Sequence, residues 1–97
     1  MILADQGAEV IKVESPGIGD LMRVGPYYRG GLTAFFTNVN RNKRGVVLDL
    51  TKPAGREILL RLVADSDVFV QNWRPGAAER LGLGWDDLRA LNPRLIY

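Results

Sequence analysis

The 97-residue chain sets thirteen Lys and Arg against eleven Asp and Glu, is 46% hydrophobic, and contains neither cysteine nor histidine. That is a globular composition, sized for one small domain or a piece of a larger one. Without cysteine, disulfides and thiolate metal sites are excluded; without histidine, so are the usual general base, the Ser/His triads and the commonest metal ligand. Any acid–base or nucleophilic chemistry therefore falls to carboxylates, Lys or Tyr.

Residues Met1 to Gln6 read as the last turns of a helix closed by Gly7. So short a helix does not form alone, which predicts more helix upstream. The start does not read as a signal peptide, because Met1-Ile2-Leu3-Ala4 lacks a basic residue and soon meets Asp5. No apolar run approaches the roughly 20 residues of a bilayer span, so no membrane partner is expected, and the absence of cysteine fits a cytoplasmic setting. Ala8 to Glu14 is the first strand, with Val10, Ile11 and Val13 apolar. Ser15 to Asp20 is a loop; its Gly17-x-Gly19 pair lacks the third glycine and immediate helix of a dinucleotide fingerprint. Leu21 to Gly31 reads as irregular surface chain. Leu32 to Val39 is helix or strand, undecided by its pattern.

Asn40-Arg41-Asn42-Lys43-Arg44 places three cations in five residues. Such a run suits phosphate, as nucleic acid or cofactor, while a solvated loop is its simpler explanation. Val46 to Leu50 is the next strand. Pro53 to Ala64 is the clearest helix, with Ile58, Leu59, Leu62 and Val63 as one apolar stripe and Glu57 and Arg61 as a supporting pair.

Val68-Phe69-Val70 then reads as a buried strand that stops on polar Gln71 and Asn72 before Pro75-Gly76 turns the chain. An amide, an indole and a guanidinium (Asn72, Trp73, Arg74) are thus delivered together at a strand end. A helix from Pro75 to Leu81 would offer free amides to an anion. The plain alternative is a strand-to-helix loop whose Trp73 caps the core. A helix from Trp85 to Leu91 follows, and Leu95-Ile96-Tyr97 is an apolar strand without a following turn. Both ends therefore suggest a piece of a longer protein.

Strands alternating with helices predict an α/β fold with a mostly parallel sheet covered on both faces. In such sheets ligands gather beyond the strand carboxyl ends, where Leu48-Asp49-Leu50-Thr51 and Asn72-Trp73-Arg74 are expected to line one crevice. A pI near 9.3 mildly favours an anionic partner.

Several motifs in register carry a resemblance. They are Ala4-Asp5-x-Gly7-Ala8-Glu9-Val10-Ile11-Lys12-Val13-Glu14, Gly17-x-Gly19-Asp20, Asn40 to Arg44, Val47 to Leu50, Asn72-x-Arg74-Pro75-Gly76 and Arg80-Leu81-Gly82. At these spacings the chain closely resembles the family III CoA-transferases over essentially its whole length. The resemblance implies the N-terminal part of a large Rossmann-like domain, in an enzyme that moves coenzyme A between an acyl-CoA and a carboxylic acid. In that family an aspartate attacks the thioester, and it lies downstream of the matched region, so no catalytic residue is assigned here. The residues that match the family's CoA contacts are Leu48, Asp49, Leu50 and Thr51, then Asn72, Trp73 and Arg74, and Arg80. The family aromatic at the Trp73 position is commonly Phe, and a contact often made by Arg falls here on Ser15. The resemblance also implies an interlocked homodimer, no metal and no nucleic acid, and it gives the basic run no site role. Three other readings stand beside it: an α-methylacyl-CoA racemase with the same CoA site, a nucleic-acid-binding module using Arg41, Lys43 and Arg44, and a non-catalytic remnant that keeps only the fold.

Overall fold

A computed structural model describes residues 1–97 and divides the chain into two units, Met1–Leu48 and Asp49–Tyr97. In the first unit, α1 (Ile2–Asp5) is closed by Gly7 at φ 100, and β1 (Val10–Glu14) follows. A 3₁₀ turn over Leu21–Arg23 leads into a small hairpin of β2 (Tyr28–Arg29) and β3 (Leu32–Thr33). Gly30 and Gly31 make its turn at φ 59 and 88, two successive left-handed positions that favour glycine. The segment expected to be irregular is therefore partly ordered, and its Gly-Gly pair was the available signal.

Thr33 settles the ambiguous stretch as helix. Its hydroxyl accepts the N–H of Phe36 at 3.0 Å and caps α2 (Ala34–Asn40). β4 (Lys43–Val47) then pairs parallel with β1, from Val10 opposite Lys43 to Glu14 opposite Val47.

This strand begins earlier than expected and stops at Val47, not Leu50. Two forces explain the shift. Lys43 and Arg44 sit on a strand with a neighbour on one side only, where charged residues are well tolerated. Asp49 ties itself to Thr51 in a turn, which ends the extended chain. The buried residues of this unit are Ala4, Phe36 and Leu48, with Glu14 and Thr33 as buried polar members.

In the second unit α3 (Pro53–Ala64) runs as predicted, with Pro53 in its first turn. Leu59 and Val63 are its buried stripe, whereas Ile58 is 46% exposed and does not belong to it. They pack in a core with Ala78, Leu83, Leu88 and Leu95, of which Leu83 and Leu88 are fully enclosed. Ser66 and Asn92 close the end of α3. The Ser66 hydroxyl donates to the Leu62 carbonyl at 2.6 Å, and Asn92 Nδ2 donates to those of Val63 at 3.1 Å and Ser66 at 2.8 Å. α4 (Ala77–Arg80) is a single turn, and α5 (Trp85–Leu91) has the expected bounds.

The two expected strands of this unit shrink to one parallel bridge, Val68 to Ile96, with Phe69 N–H on the Ile96 carbonyl at 2.8 Å. Val70 is 81% exposed, so Val68 to Val70 is not a buried strand. Burying such a run takes a paired sheet covered on both faces, and this segment has a single-residue bridge. The architecture is a small α/β arrangement with a short parallel sheet and helices. No helix is long and apolar enough to cross a membrane.

Candidate functional site

The eight candidate residues fall on two turns. Leu48 closes the first unit; it is buried, and its N–H donates to the Glu14 carbonyl at 2.9 Å. Asp49 to Thr51 form the turn that opens the second. Asp49 Oδ1 accepts the Thr51 N–H at 3.0 Å and the Thr51 hydroxyl at 2.6 Å. Those two donors hold the Asp49 carboxyl below the usual range, the hydroxyl contributing most. A carboxylate oxygen so engaged shapes the turn. Leu50 is half-buried beside it.

The second turn runs from Gln71 to Arg80. Gln71 Oε1 accepts the Trp73 N–H at 2.6 Å, which bends the chain at Asn72 and leaves that amide exposed. Trp73 meets the ring of Phe69 edge-on, centroids 6.5 Å apart, and remains 38% exposed. Phe69 in turn contacts Tyr97 at 5.5 Å, and Tyr97 meets Trp85 at 5.9 Å. Trp73 therefore does both things its sequence context allowed: it leans on the core and keeps indole surface open.

Gly76 sits at φ 78, and the Arg80 guanidinium lies over it, Nη1 3.1 Å from where a Cβ would stand. Arg74 and Arg80 are exposed and form no ion pair. The expected helix from Pro75 is corrected: Pro75 and Gly76 are in the turn, and the helix is the single turn Ala77–Arg80. One turn supplies no helix-end anion site, so charge here comes from the guanidinium groups.

The basic run is a different case. Arg41 Nη2 lies 2.6 Å from Asp5, Arg44 pairs with Glu9, and Lys43 donates to Asn40 Oδ1 at 3.1 Å. Its two arginines are therefore paired with acids within the first unit, while Lys43 meets only a neutral amide.

Sequence reasoning missed one constellation. Glu14 accepts from Arg23 Nε at 2.8 Å, Arg23 Nη2 at 2.9 Å and the Asp20 N–H at 3.0 Å. Lys12 pairs with Asp20, and both cations flank the Phe36 ring, Lys12 at 4.6 Å and Arg23 at 4.0 Å from its centroid. Arg23 lowers the Glu14 carboxyl, and Lys12 lowers that of Asp20. The available signal was Lys12 and Glu14 two apart on one face of an otherwise apolar strand. Ser15 lines a pocket of about 240 Å³ beside this cluster, with Arg23 across it. Arg23 is paired with Glu14 there and keeps part of its side chain exposed.

The segment from Asn72 to Arg80 thus presents two unpaired guanidinium groups, an exposed amide and partly open indole surface. The chain matches the model of CoA-transferase family III over residues 1–97 and belongs to that family. The succinyl-CoA–D-citramalate CoA-transferase of Chloroflexus aurantiacus is 49% identical over 96 residues, which cover 98% of this chain and 24% of that protein. The human succinyl-CoA:glutarate CoA-transferase is 44% identical over 98 residues, covering 100% of this chain and 22% of its own. A crystal structure of a CaiB/BaiF family protein from Brucella suis superimposes with a TM-score of 0.91 at 44% identity, over 98% of this chain and 26% of that one. The chain thus spans about a quarter of the length of the curated relatives it matches.

Proposed function

We propose that the protein is a CoA-transferase that moves coenzyme A between an acyl-CoA and a carboxylic acid, with this chain supplying part of the CoA-binding crevice. The family match over residues 1–97 carries the reading. On it, these residues belong to a larger Rossmann-like domain with helices on both faces of its sheet. Leu48, Asp49, Leu50, Thr51, Asn72, Trp73, Arg74 and Arg80 are then the CoA contacts.

The chemistry of the ligand suits them. Coenzyme A presents phosphates, an adenine and a long polar arm. Arg74 and Arg80 have no internal acid to satisfy them and can take phosphate oxygens. Trp73 offers a half-open aromatic face and Asn72 an exposed amide. Asp49 shapes the first turn through Thr51 and is not the nucleophile; the thioester-attacking aspartate belongs to a later part of the protein. The assembly is an interlocked homodimer in the cytoplasm, without metal, membrane or nucleic-acid partner.

Calorimetric titration with coenzyme A, alone and with competing RNA, tests the binding half. Saturable CoA binding indifferent to RNA is expected. Transfer of labelled CoA from an acyl-CoA to a panel of carboxylic acids tests the chemistry. Absence of CoA binding by folded protein would refute the proposal.

A further inference from the structure

Gly55 occupies the first turn of α3, a place where an alanine would ordinarily strengthen the helix. The backbone around it forbids that. A Cβ built on Gly55 would overlap the Asp49 carbonyl oxygen, lie 2.8 Å from its carbonyl carbon and reach 3.3 Å from its backbone nitrogen. These are main-chain atoms, so no rotamer change relieves the overlap. The helix start and the Asp49 backbone are in closer contact than any side chain allows.

The same Asp49 carbonyl accepts the Lys52 N–H at 3.1 Å, and Asp49 Oδ1 holds Thr51. The turn is therefore fixed on one side by its own hydrogen bonds and on the other by the bare α-carbon of Gly55. We infer that Gly55 is a positioning residue for CoA binding: its missing side chain sets the placement of the Asp49–Thr51 turn. The inference rests on the proposed assignment of that turn to the CoA site. Gly55 itself touches no ligand in this scheme; it acts through Asp49.

The test compares Gly55→Ala with Gly45→Ala, a strand glycine whose added Cβ would meet nothing within 4 Å. Hydrogen exchange of the unaltered protein, with and without coenzyme A, first reads whether the ligand protects the backbone of residues 48 to 51. Protection is expected, and its absence overturns the site assignment and this inference with it. CoA titration of the variants then reads the glycine. Gly55→Ala should bind CoA about tenfold more weakly, the loss of one well-placed contact. Its exchange should quicken at residues 49 to 52, while Gly45→Ala binds as the unaltered protein does. A purely structural role would lower the melting temperature without moving the affinity of the folded fraction. Protection at 48 to 51 together with unchanged affinity in Gly55→Ala overturns the inference alone. Should Gly55→Ala not fold, Pro53→Ala loosens the same helix start without adding an atom at position 55. Weaker CoA binding by Pro53→Ala supports the inference, and unchanged binding overturns it.

Discussion

Replacing Glu14 by glutamine removes one charge from the most heavily bonded carboxylate in the first unit. Three N–H groups point at that carboxylate: Arg23 Nε, Arg23 Nη2 and the Asp20 amide, at 2.8, 2.9 and 3.0 Å. The glutamine oxygen can still accept from one or two of them, but its NH₂ then faces a guanidinium, so about one charge-assisted hydrogen bond is lost. Such bonds contribute about 1.5–3 kcal/mol. The Arg23 side chain is 38% exposed, so solvent screening brings the expectation for Glu14→Gln to about 1–2 kcal/mol. The sign with pH follows from Arg23, which lowers the folded-state pKa of Glu14 beneath its ordinary value of 4.5. The stabilisation is therefore complete above that ordinary value and fades as pH falls through the lower, folded one. Urea unfolding of both proteins at neutral pH should show the gap, and it should close in strong acid, where the native carboxylate is protonated. Equal stability at neutral pH, or a gap undiminished by acid, would refute the reasoning.

Three further outcomes are expected. Arg80→Ala should weaken CoA binding roughly 10- to 100-fold by calorimetry, with Arg80→Lys recovering part, because a guanidinium contact to phosphate is two-pronged. Arg61→Ala, which only breaks an exposed pair with Glu57, is the control, and equal affinities for the two alanine variants would remove Arg80 from the site. Asn92→Ala should cost about 1–3 kcal/mol in urea unfolding, since it strips the shared donor from the Val63 and Ser66 carbonyls; a change within about 0.5 kcal/mol would contradict that role. Asp49→Asn keeps an oxygen for Thr51, so it should leave kcat for CoA transfer largely intact in the active enzyme; its abolition would make Asp49 the nucleophile.

How much of this was readable beforehand depended on whether a feature was local. α3 was legible because Pro53 opens it and Leu59 and Val63 recur at helical spacing. α5 was legible because Gly84 and Pro93 bracket it. The strand limits were not, because parallel pairing is decided by a distant partner: Val10 to Glu14 selected Lys43 to Val47 over the more apolar Val46 to Leu50. Val68 to Val70 failed as a strand for the same reason, its pattern being sound and its neighbours few. On the site, the polar punctuation at Asn72-Trp73-Arg74 was visible in the sequence. The hydrogen bond that bends it, from Trp73 to Gln71, was not. The Glu14–Arg23 pair joins residues nine apart across an irregular loop, a spacing no periodicity announces.

The acids ahead of β1 are the counter-ions of the two arginines in the basic run. Asp5 holds Arg41 at 2.6 Å and Asn42 at 3.0 Å, and Glu9 holds Arg44. A version trimmed to begin at Val10 would lose both carboxylates and keep every cation. It would carry a bare positive stripe, retained on heparin and on RNA at low salt and released as salt rises. Trimming the amino end would thus manufacture an affinity for polyanions that the longer chain masks, and a pull-down with such a version would report the trimming and not the protein's own partners.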